Sequence, residues 1–77
     1  MTEEFKKLFD QCEAIEKAKS LAAGLGYLQG YYGNLDYNIT DCEEEYIHRI
    51  NTLVGKDWPE EVKKVHEESY HEGYMDS

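Results

Sequence analysis

Long apolar runs are missing from this chain. Nothing approaches the roughly 18 consecutive apolar residues that a membrane-spanning helix requires, so no membrane span is expected. Cysteine is nearly missing too. Cys12 and Cys42 stand alone, with no CxxC pair and no Cys/His cluster, which argues against a disulfide framework or a structural zinc. The opening Met1-Thr2-Glu3-Glu4 has neither the basic nor the apolar region of a secretory signal, and a reduced, cytoplasmic protein is expected. Positive charge is scarce: eight Lys and Arg face seventeen Asp and Glu, a net charge of −9. That balance repels nucleic acid and anionic lipid surfaces, so neither direct nucleic-acid binding nor a membrane partner is expected.

A chain of 77 residues forms one domain and buries only about 60–65% of the surface its unfolded form exposes. With disulfides and metal set aside, oligomerisation or a bound partner is the remaining route to fuller burial, and a homo-oligomer is expected. The charge is also uneven. Residues 1–37 hold six acids against four lysines, whereas residues 38–77 hold eleven acids against four bases, a net of −7.

What the chain does have is a ridge of small side chains. Ala14, Ala18, Ala22, Gly26 and Gly30 stand four residues apart, and on a helix that spacing draws one nearly straight line. Glycine inside a helix costs about 1 kcal/mol relative to alanine, so Gly24, Gly26 and Gly30 need a close approach of another backbone to justify them. The ridge has three readings: packing against the chain's other helices, an oligomer interface between two copies, or contact with a foreign partner.

Thr2 is placed to cap a first helix with Glu3 and Glu4 in its first turn. Phe5, Leu8, Phe9, Cys12 and Ile15 recur at helical steps, and Leu21, Leu25, Leu28 and Tyr32 continue an apolar line. The spacing predicts a helix over about 3–32, some 45 Å long, with a face left over. A competing reading ends it near Ala23 and makes residues 24–37 a tyrosine-rich loop or hairpin. Thr40 and Glu43 have the form of a capping box opening a second helix, about 41–54, which Gly55 ends. Asp57 and Pro59 announce a third, about 58–72. That helix is expected to fray near Gly73 and leave 74–77 as a loose tail. The fold class is therefore all-α: a small three-helix bundle with a long Ala/Gly-ridged first helix.

Catalysis finds little support. His66 and His71 are five apart, on different sides of a helix, so His48, His66 and His71 predict no metal site; Glu67 with His71 reads as a solvated pair. Cys12 beside His48 or His66 lacks any flanking signature of a nucleophile, and the glycines lack a phosphate-binding frame. No cofactor and no enzymatic activity are expected.

The acids and the tyrosines remain. Asp41, Glu43, Glu44 and Glu45 crowd the start of the second helix, and Glu61, Glu68 and Glu72 share a face of the third, at intervals of about 5–6 Å per turn. A solvated surface with acids at helix N-termini is the plain explanation. A negative surface competing for a basic groove is the functional one. Seven tyrosines supply large contact faces with polar tips, and Tyr27 and Tyr31 are spaced to pair. In size and composition, though not in any motif, the chain resembles the small acidic helical proteins that bacteria and phages use as inhibitors and immunity factors, some of which mimic DNA. The resemblance implies a phage anti-defence, anti-CRISPR or immunity-type inhibitor that binds a basic nuclease or nucleic-acid-binding complex. Asp41, Glu43, Glu44, Glu45, Glu61, Glu68 and Glu72 would supply its charge, with Tyr27 and Tyr31 as anchors. The alternatives are a structural or regulatory homo-oligomer joined by Ala14, Ala18, Ala22, Gly26 and Gly30, or a small-ligand sponge with a pocket of glycines and tyrosines at a subunit junction.

Overall fold

A computed structural model describes residues 2–77, and those residues form three helices and no strand: α1 (Glu3–Asn34), α2 (Thr40–Val54) and α3 (Glu60–Asp76). The Thr2 side chain accepts a hydrogen bond from the Phe5 amide at 3.2 Å and opens α1. No break occurs at the glycines, so the loop or hairpin reading of residues 24–37 is set aside. The helix closes where the Leu35 amide turns back to the Tyr32 carbonyl and Asp36 takes a left-handed φ of 58°.

α2 runs back along α1 and α3 runs forward beside it. Gly24 meets Tyr46 while Gln29, further along, meets Glu43, so the first pair is antiparallel. Gly26 meets His66 and Gly30 meets Tyr70, so α1 and α3 are parallel. Ala18, Ala22, Leu25, Ile50 and Val62 are fully buried, flanked by Ile15, Leu21, Tyr46, Leu53, Val54 and Trp58. Only three of those buried side chains are large, namely Leu25, Ile50 and Val62, so the core is thin.

The Ala/Gly ridge is spent inside this bundle. Ala18, Ala22, Gly26 and Gly30 are buried, and Ala14 is half-buried beside Leu53, Val54 and Pro59. A Cβ at Gly26 would overlap the His66 carbonyl, and one at Gly30 the Tyr70 carbonyl. Gly73 answers from α3, where a Cβ would overlap the Tyr27 carbonyl. Of the expected oligomer interface at Ala14, Ala18, Ala22, Gly26 and Gly30, the last four are therefore corrected to an intramolecular seam, because the chain's own core and α3 already occupy the space a second copy would need.

Three local expectations differ from the structure. Thr40 and Glu43 form no capping box: the Asn38 side chain accepts from the Thr40 amide and hydroxyl at 3.0 and 2.7 Å, and Glu43 turns inward to Gln29. α3 starts at Glu60, with the amides of Val62 and Lys63 bonded to the Pro59 carbonyl, because Pro59 keeps an extended ψ of 151° and takes the N-cap position; the Trp58 indole bonds Asn51 at 2.7 Å. Finally, residues 74–76 are helical. The Gly73 contact carries α3 past the expected fraying point, and Tyr27–Asp76 and Asn34–Ser77 hydrogen bonds tie its last turn to α1.

The three helices differ greatly in length. The 32 residues of α1 span about 48 Å, against about 22 Å for the 15 of α2 and about 26 Å for the 17 of α3. The molecule is accordingly elongated, 50 × 22 × 16 Å. Residues 3–13 of α1 are exposed throughout and extend beyond the bundle.

Candidate protein-binding surface

Four tyrosines near the C-terminal end of α1 form a chain of aromatic contacts. Tyr27 and Tyr31, one turn apart, stack at 5.9 Å with their planes 13° apart; Tyr32 meets Tyr31 edge-on at 5.1 Å and Tyr37 at 5.7 Å. The Tyr27 hydroxyl donates to Asp76 at 3.0 Å. That bond, then burial, then the charges of Asp76, Tyr31 and Glu72 hold its phenol above the usual tyrosine range. Tyr27, Tyr31, Glu72 and Asp76 thus share one neighbourhood, where α3 lies against α1.

Glu61, Glu68 and Glu72 extend this neighbourhood along α3. Their seven- and four-residue spacing keeps them within about 40° of one another around the helix, and all three are exposed. Of the α3 carboxylates only Glu60 has an ion-pair partner among the described residues, Lys63 at 3.8 Å. The flank is therefore a row of carboxylates with an aromatic pair at one end.

Two of the four α2 acids are engaged within the chain. Asp41 and Glu44 are exposed, Glu45 is paired with Arg49 at 2.9 Å, and Glu43 is half-buried and accepts a 2.8 Å bond from the Gln29 amide. Gln29 in turn accepts from His66 Nε2 at 2.6 Å, with the His66 tautomer fixed by the direction of the Gln29–Glu43 bond. This relay joins all three helices. Glu43 is thereby a structural residue, and Gln29, His66 and Asp76 are the participants that sequence reasoning missed. One signal for the close seam was available: Ser69 and Gly73 are spaced four apart, a small ridge matching the one on α1.

No group of three or more His, Cys, Asp or Glu converges among the described residues. Cys12 stands on the exposed part of α1, Cys42 is exposed on α2, and the His66 ring is hydrogen-bonded to Gln29. No helix is long and apolar enough to cross a membrane among the described residues. The fold and this surface define an all-α, three-helix domain with an acidic, tyrosine-bearing flank. No family model, curated protein or solved structure matches the chain.

Proposed function

We propose that this chain is a small acidic, non-enzymatic binding protein that occupies a basic, nucleic-acid-handling surface of a protein partner, as a DNA-mimicking inhibitor or immunity factor of bacterial or phage origin would. The observation that supports it is the α3 flank. Glu61, Glu68 and Glu72 are exposed there without an ion-pair partner among the described residues, beside the stacked Tyr27 and Tyr31. A row of carboxylates offers lysine and arginine the charge-assisted bonds that phosphates offer, and tyrosine faces accept guanidinium groups in stacking contact. Glu44 and Asp41 on α2 add to the attractive field without sharing the contact.

The test is capture from lysate at low salt, identification of the bound protein, and titration of its affinity against ionic strength. Recovery of a basic nuclease or nucleic-acid-binding complex is expected. Its affinity should fall steeply with salt, because steering and charge pairing are both screened. Charge reversal by Glu68→Lys with Glu72→Lys should abolish binding and leave helicity intact, since both side chains are exposed. Affinity indifferent to salt and to the reversal would overturn the reading.

A further inference from the structure

We infer that the exposed start of α1 pairs, antiparallel, with the same segment of a second copy of this chain, an association that uses a different face from the acidic flank. Phe5, Leu8 and Phe9 are 55, 61 and 59% exposed, and Cys12 is exposed beside them. The four fall within about 100° of the helix circumference, the width of stripe that an amphipathic helix ordinarily buries. Among the described residues, every position from 2 to 13 is exposed, so the stripe is left uncovered by the bundle. The first half-buried residues of α1 are Ala14 and Ile15, which line a groove with Gln11, Leu53, Val54 and Pro59.

Charge selects the occupant. Residues 2–19 hold five acids and four lysines, a net of −1 in a chain of −9, so two copies meet here with less repulsion than at the acidic remainder. A parallel pair would set each lysine beside its twin and bring the acidic bodies together. An antiparallel pair related by a two-fold axis at Asp10 sets residue i beside residue 20 − i. Phe5 then lies against the partner's Ile15, at the edge of the apolar groove, and Leu8 lies against the partner's Cys12. Lys6 and Glu13 stand on one flank of the stripe, about 20° apart around the helix, and like flanks meet in an antiparallel pair. Lys6 comes beside the partner's Glu13, the carboxylate that Lys17 of its own chain already pairs at 3.3 Å. The acidic bodies point away from each other.

Light scattering and sedimentation of the full chain, up to about 1 mM and thus to the weak end of specific association, test this. Twice the 9.0 kDa chain mass is expected. Leu8→Glu with Phe9→Glu should give a monomer whose circular dichroism is unchanged, since neither side chain belongs to the core. The orientation is read from charge variants: Lys6→Glu alone and Glu13→Lys alone should each dissociate about tenfold more readily. Mixing the two variants should restore association, because every cross-chain pair is then of opposite sign. A monomer at all concentrations, a dimer indifferent to Leu8→Glu and Phe9→Glu, or a mixture no tighter than its separate components would each overturn the inference.

Discussion

Gly26, Gly30 and Gly73 bring the α1 and α3 backbones to a separation that no β-carbon permits. At each position a methyl would meet a carbonyl oxygen of the facing helix, and backbone cannot swing aside as a flexible side chain can. Gly33, on the same helix, has open space around the corresponding position. The two environments make opposite expectations for one substitution. Gly33→Ala should stabilise the chain by about 0.5–1 kcal/mol through helix propensity. Gly26→Ala, Gly30→Ala and Gly73→Ala should each cost about 1–3 kcal/mol through overpacking, net of the same propensity gain. Urea unfolding of the four variants measures this directly, and a uniform stabilisation would show that the helices separate without cost. Their sequence spacing made Gly26 and Gly30 conspicuous as close-approach positions but did not show what approached. A small ridge presents the same pattern whether its partner lies in another molecule or 40 residues along the same chain.

At the scale of the element, existence was easier to read than termination. The Thr2 cap, the apolar period of α1 and Gly55, which adopts a φ of 84° at the end of α2, are local signals and correspond to the observed helices. α2 starts where expected but without its capping box, because the Glu43 side chain bonds Gln29, and α3 starts two residues late because Pro59 keeps an extended backbone and takes the N-cap position. Which side of α1 each helix docks on was not legible at all, and so neither were the Glu43–Gln29 bond nor the α1–α3 seam. The His66–Gln29–Glu43 relay that joins the three helices also makes stability depend on pH. Burial disfavours the charged ring and lowers the His66 pKa below its ordinary 6.5, with nearby Glu67 opposing the shift. A base whose folded pKa lies below its unfolded value binds protons more readily when unfolded. Its contribution is therefore fully favourable above pH 6.5 and is lost as the pH falls from there through the folded pKa. His66→Gln, which keeps a donor toward Gln29 and cannot titrate, should flatten the stability curve in that window. Thermal unfolding of both proteins between about pH 7 and 5 measures it, and parallel curves would show that His66 is not the responsible group.

For the whole molecule, a net charge of −9 works against folding, and under the proposed function it would favour association with a basic partner. Glu68 and Glu72 are four residues apart on one helix face, an arrangement that destabilises a helix by about 0.2–0.5 kcal/mol, and Glu72 also acts on the Tyr27 phenol. Neutralising Glu72 should therefore reveal a conflict between stability and binding. Glu72→Gln is expected to stabilise the chain by a few tenths of a kcal/mol at low ionic strength, and the gain should shrink as salt screens the pair. The same substitution should weaken capture of the basic partner. Glu3→Gln provides the contrast: its carboxylate favours the N-terminal end of α1, far along the helix from Tyr27, so its neutralisation should destabilise slightly and leave that capture unchanged. Denaturant unfolding at two salt concentrations, set beside partner affinity for the same two variants, separates the possibilities. A stabilised Glu72→Gln chain that has lost affinity would identify the α3 flank as a surface kept at a cost in stability. A stabilised chain with undiminished affinity would leave its carboxylates a solvating role only.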